Sequence, residues 1–152
     1  MAAFTSIYNG LITLIETKLS TYTRLADAYD LENNDILRIV KGYSLAIADG
    51  VNTERTICNE LSVERNFIFK LTNLMSANEL DPIARAVIEK SIIEDAILVW
   101  KELQKTHYLG TVQVSSVKYL SDEGLEYIFK ASDVQSSKAI GIASLITLEY
   151  FE

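Results

Sequence analysis

With 152 residues, 49% of them hydrophobic and 23% charged, the chain has the size and balance of one folded domain, here residues 1–152, and not of a disordered protein. A net charge of −7 argues against a grip on nucleic-acid phosphates, and the single cysteine, Cys58, excludes an internal disulfide and a soft-ligand metal cluster. No apolar run reaches the roughly 20 residues of a membrane-crossing helix, and "MAAFTSIYNG" lacks the basic flank of a secretory signal, so the expectation is a protein kept in the cytoplasm or assembled from there.

Apolar side chains at Phe4, Ile7, Leu11, Ile15 and Leu19, with Tyr8 and Ile12 beside them, predict an amphipathic helix over residues 4–19. The stretch "DAYDLENNDILRIVKG" mixes turn formers with a short apolar run and fits either a brief helix or an extended approach. In "YSLAIADG", Tyr43, Leu45 and Ile47 alternate up to an Asp49-Gly50 turn signal, which predicts a strand. A second strand is expected in "RNFIFKLTNLM", and between the two lies "DGVNTERTICNELSVE", longer than a hairpin needs and so read as a projecting β-arm or loop. Asp81 and Pro82 supply a cap and a first-turn proline for a long helix to about Lys105. Its stripe Ala84, Ile88, Ile92, Ala96, Val99 and Leu103, flanked by Ile93, Ile97 and Trp100, is wide enough to meet a sheet and another helix. Three strands follow: "TVQVSSVKYL", a turn at residues 121–124, "LEYIFKA", a loop "SDVQSSK", and a last strand with Ile140, Ile142, Ile146, Leu148 and Tyr150 on alternate positions. The order predicts an α+β fold, a mostly antiparallel sheet covered on one face by the two main helices. An apolar terminal strand left at an edge would invite strand addition, so it is expected inside the sheet, with Leu145 or Phe151 available to the second helix or a neighbouring subunit.

Residues that carry chemistry are sparse. His107, the only histidine, follows the second helix without a motif tying it to a nucleophile, and it reads as a helix-end residue. Cys58 lacks the surroundings of a reactive thiol. The acidic run Asp30, Glu32, Asn34, Asp35 resembles a calcium loop, but Asp35 stands where glycine is needed and Lys41 where a bidentate glutamate belongs. Glu94 and Asp95 are neighbours on a helix, and their side chains diverge by about 100°. No catalytic residue, cofactor or metal is expected, and the chain reads as a non-enzyme.

In element order the chain resembles the tail terminator and tail-completion (neck) proteins of long-tailed bacteriophages. The resemblance runs over a leading amphipathic helix, a strand like "YSLAIADG", a long arm, a strand like "RNFIFKLT", a helix like "DPIARAVIEKSIIEDAILVWKEL" and a final strand ending "ITLEYFE". It implies a structural virion protein, assembled in the host cytoplasm, that forms a homohexameric ring on the head-proximal end of the tail tube. Such a ring ends tube growth and joins the tail to the head. The implied partners are further copies, the tail tube protein and the head connector, with DNA passing through unbound and no membrane. Glu54, Arg55 and Glu60 on the arm, and Phe151 at the last strand, are the candidate interface residues. The competing reading is a cytoplasmic ligand-binding or regulatory α+β domain, monomeric or dimeric.

Overall fold

The structure is a computed structural model that describes residues 2–30, 40–55, 61–75, 82–120, 124–129 and 138–152. Its elements are α1 (Ala3–Lys18), β1 (Thr23–Arg24), β2 (Lys41–Arg55), β3 (Leu61–Met75), α2 (Pro82–Lys105), β4 (Tyr108–Leu109), β5 (Val112–Leu120), β6 (Leu125–Phe129) and β7 (Lys138–Phe151). The strands form one mixed sheet in the order β1-β2-β3-β7-β5-β4, with β6 also on β7. Among the described residues only β1 with β2 is parallel, and the other pairs are antiparallel. The α+β class and the two main helices stand as expected.

The last strand lies at the centre. β7 pairs with β3 from Lys138 to Phe151, while its other edge carries β6 on Lys138–Ile142 and β5 on Leu145–Tyr150. β5 and β6 are both antiparallel to β7, so they run the same way, end to end along one edge. Residues 121–123 lie outside the described residues.

Strand alternation decides which face is core. Phe67, Phe69 and Leu71 on β3 stand opposite Ile146, Ser144 and Ile142, and Tyr43 stands opposite Leu71; all are buried. Both helices cover this face. α1 contributes Ile7, Leu11, Ile12 and Ile15, and α2 contributes Ile92, Ala96, Val99 and Leu103. Each fully buried aliphatic side chain stabilises by about 1.5–3 kcal/mol. Gly10 lets α1 approach the β4 turn so closely that a Cβ there would stand 2.6 Å from the Gly110 nitrogen.

The opposite face is built of smaller and more polar residues. Over part of it runs the segment after β1: the Ala28 N–H donates to Ser44 Oγ at 3.0 Å, and Lys70 pairs with Asp27 at 3.2 Å. Lys70 also stands 4.9 Å from the centre of the Tyr29 ring, and that ring lies over Gly141, where a Cβ would come within 2.5 Å of it.

The expected arm is part of the sheet. Pairing of β2 with β3 continues from Val51↔Arg65 to Arg55↔Leu61 after a register shift between Ile47 and Val51, and β3 stays paired with β7 up to Ser62↔Phe151. The Asp49-Gly50 signal therefore marks an irregularity inside a long strand and does not end it. Residues 56–60, with Glu60 and Cys58, lie outside the described residues, as does most of the calcium-like run.

Candidate functional site

The candidate residues that the structure describes meet at one end of the sheet. Glu54 stands opposite Ser62, and Ser62 stands opposite Phe151, so Glu54, Ser62 and Phe151 form one row across β2, β3 and β7. Arg55 is in the adjoining row, opposite Leu61. Phe151 is 44% exposed, although it belongs to the central strand. It points away from the core because the alternation that buries Tyr150 turns its neighbour to the helix-free face.

Two residues missed in the sequence complete this end. Glu64 and Glu149 stand directly opposite each other in the next row, on the same face as Phe151. Like charges directly opposite on antiparallel strands are destabilising. The row after that carries Asn66 and Thr147, joined by a 2.7 Å hydrogen bond from the threonine hydroxyl. Glu149 shares the parity of Phe151, which the alternation could have shown; the pairing with Glu64 depends on register between distant segments.

The strand ends are anchored to α1. The Glu152 N–H donates to the Leu61 carbonyl at 2.9 Å, and its carboxylate accepts from the Ala3 and Phe4 N–H groups at 2.9 and 3.2 Å. Behind it, Arg65 donates to the Tyr150 hydroxyl at 3.1 Å and lies 4.6 Å from the centre of the Phe4 ring, which stacks on Phe67. The row of exposed residues is thus held on a well-packed base.

A second surface lies on the outer side of α2. At about 100° per residue, Ile93, Ile97 and Trp100 fall on one flank of the outward face, and Ile83, Val87 and Leu98 on the other. They are 38–77% exposed. The stripe with this flank was expected to be wide enough for a sheet and another helix; α1 meets α2 through the core and the Lys18–Glu102 ion pair at 3.4 Å, and Ile93, Ile97 and Trp100 are exposed. The charges on this outward face are Lys90, Lys101, Lys105 and Glu94, so it is basic in a chain of net charge −7. Lys90 and Glu94 are only loosely paired, at 3.9 Å.

Tyrosine hydroxyls join the elements around the core. Tyr22 donates to Asp95 and Tyr43 to Glu16, each at 2.7 Å, and burial followed by those carboxylates pushes both phenols well above the ordinary range. Tyr127 donates to Glu89 at 2.7 Å, and this hydrogen bond also raises its phenol. Asp95 is therefore a partner of Tyr22, not one member of a carboxylate pair. His107 is exposed after α2, with its carbonyl accepting from the Val114 N–H.

Among the described residues, two of the cavities open to solvent lie beside the helices and the sheet. One, of about 450 Å³, runs between α1 and the end of α2 past Ser6, Asn9, Thr13 and Thr106. The hydroxyls of Thr13 and Thr17 donate to their own helix there, and Thr106 donates to the Glu102 carbonyl. The other, of about 410 Å³, lies on the helix-free face beside Tyr29, Lys70 and Glu126. Among the described residues no group of three or more His, Cys, Asp or Glu could hold a metal, and no helix is long and apolar enough to cross a membrane. No protein-family model matches the chain, and no curated protein matches it.

Proposed function

We propose that this chain is a structural virion protein of a tailed phage. It forms a ring on the head-proximal end of the tail tube, stops tube growth there and presents the surface to which the head joins. What supports the phage reading is the likeness of element order. The observation that carries its assembly part is the outward side of α2, where Val87, Ile93, Ile97, Leu98 and Trp100 are 38–66% exposed among the described residues. A helix with that pattern belongs in a buried setting, and a neighbouring molecule supplies the missing cover. The acidic balance suits a ring through which DNA slides, because carboxylates repel its phosphates.

The test is to polymerise a phage tail tube protein with and without this chain, and to measure tube lengths and end decoration by electron microscopy. Tubes of limited length, decorated at one end, are expected. Unlimited growth with bare ends sinks the proposal. The second reading, a monomeric or dimeric ligand-binding domain, rests on the groove of about 450 Å³ between α1 and α2. Light scattering of the purified chain separates the two, since that reading predicts no ring at any concentration.

A further inference from the structure

The outward side of α2 carries an order of residues that matches itself when reversed. Val87, Lys90, Glu94, Ile97 and Lys101 are all exposed and follow one another at alternating spacings of three and four, the spacing of a helix–helix seam. Ala86, Ile93 and Trp100, also exposed, form one flank of that seam. We infer that two copies of this chain pack α2 against α2, antiparallel, about a two-fold axis at the level of Ile92. The inference rests on the assembly part of the reading above, that another molecule covers α2, and names the occupant and the contact.

The antiparallel order sets complementary residues opposite each other. Lys90 of one copy meets Glu94 of the other, and the same pair recurs across the axis. The contact of Lys90 with Glu94 in its own chain, at 3.9 Å, then becomes one edge of a square of alternating charges. Next to it Val87 meets Ile97. On the flank Ile93 meets its own copy, and Trp100 lies over Ala86, a large side chain over a small one. A charged pair inside an apolar seam fixes register and direction, since a parallel pair would set lysine on lysine and glutamate on glutamate. Lys101 and Lys105 fall at the rim, and the two copies of Lys101 stand about 27 Å apart along the helix axis, several screening lengths. The other charges of α2 are engaged within the chain. Arg85 pairs with Glu89, which also accepts from Tyr127; Asp95 accepts from Tyr22; and Glu102 pairs with Lys18. A self-matching order selects a second copy as the occupant, because contacts between identical patches are reciprocal. Such a contact closes on itself, so within a ring it joins copies in pairs and a second contact links the pairs.

Two charge reversals of the full chain, K90E and E94K, are compared with the parent by sedimentation velocity, with thermal melting to check that each folds. Each alone sets like charges against one another and is expected to weaken pairing at least about tenfold. An equal mixture of the two is expected to recover it, since one copy then offers only carboxylates and the other only ammonium groups. Direction is read by mixing Val87→Cys with Ile97→Cys under mild oxidation. The mixture is expected to give more disulfide-linked pair than the parent or either variant alone, and equal linking by Val87→Cys alone would overturn the antiparallel order. Val87→Asp, at a position 66% exposed, is expected to abolish pairing and leave the melting temperature within a few degrees. A parent that assembles without responding to these changes overturns this contact, and the ring reading is then judged by the size of the assembly. Pairs that never form a ring uphold this contact and overturn the ring reading. A monomer at every concentration overturns both.

Discussion

The two faces of the sheet follow different rules. The helix-covered face takes large apolar residues at every second position, and its centre, from Tyr43 through Phe69 and Leu71 to Ile142, is closed to solvent. The other face uses Gly42, Ser44, Ala46 and Ala48 on β2 and Gly141, Ala143 and Leu145 on β7, and among the described residues it is closed where the segment around Tyr29 lies on it and at Thr147. Small residues let a single stretch of backbone lie against strands, whereas helices need bulk to fill the space beneath them. The difference teaches where stability resides: the first face holds the fold, and the second leaves Phe151 exposed at its end.

The harshest way to break that comparison is a charge on each face. Ile92 is fully buried under α2, so Ile92→Asp places a carboxylate in the core without a partner and should abolish cooperative melting. Ala46 is exposed on the helix-free face, and Ala46→Asp should change stability by no more than about 0.5 kcal/mol. Circular dichroism melting of the two variants decides, and a folded Ile92→Asp protein would refute the assignment of faces.

Much of this division is legible in the sequence. The stripes of both helices and the period of the last strand point to the core residues, and α2 has the predicted range, Pro82–Lys105. An irregularity breaks the period in two strands, one of them read as a strand all the same and the other read too short. In "TVQVSSVKYL" the apolar positions run Val112, Val114, then Val117; the register shift between Val114 and Ser116 returns Val117 to the core side. The register shift after Ile47 likewise conceals how far β2 continues, because Asn52 and Glu54 carry no apolar signal. The outward strip of α2 was visible as extra apolar positions, yet sequence periodicity alone does not tell which side of a doubly apolar helix its own chain covers. The Glu64–Glu149 pair needed the register of β3 on β7, a long-range property.

Glycines sharpen the comparison at smaller scale. A Cβ at Gly10 meets backbone, 2.6 Å from the Gly110 nitrogen and 2.8 Å from the Leu109 carbonyl carbon, and neither can move without shifting α1 or the turn. Gly10→Ala should destabilise by about 1–3 kcal/mol in spite of alanine's better helix propensity. At Gly141 the Cβ meets the Tyr29 ring and the tip of Ile128, which are side chains able to yield, and alanine suits a strand better than glycine. Gly141→Ala should therefore cost less than about 1 kcal/mol, and denaturant titration of both variants ranks them. An equal or larger loss at Gly141 would mean that Tyr29 is as firmly fixed as the backbone under α1.

The helix-covered face should also show an alkaline limit. Tyr22 and Tyr43 hold folded-state phenols raised above the unfolded value of about 10, first by burial and then by Asp95 and Glu16. Their contribution is therefore complete below pH of about 10 and is lost as the pH rises above it. Melting temperatures should be flat from pH 8 to about 9.5 and fall beyond. Tyr22→Phe, which cannot ionise, should fall less steeply; an unchanged slope would remove Tyr22 from the explanation.

The most local effect is expected at Glu152. Ala2, at the N-cap of α1, has no side chain able to accept a hydrogen bond, so the first N–H groups of the helix depend on another acceptor. The Glu152 carboxylate supplies it from the far end of the sequence, one oxygen on Ala3 and the other on Phe4, where a negative charge also suits the helix dipole. Glu152→Ala should cost about 1 kcal/mol, the ordinary value of a lost cap, and less at high salt because the contact is exposed. Hydrogen exchange localises it: protection should drop in the first turn of α1 and at Glu152 itself, and stay unchanged for β3 and the middle of β7. Should protection fall along the whole of β7, the carboxylate would be holding the central strand in register as well as capping the helix.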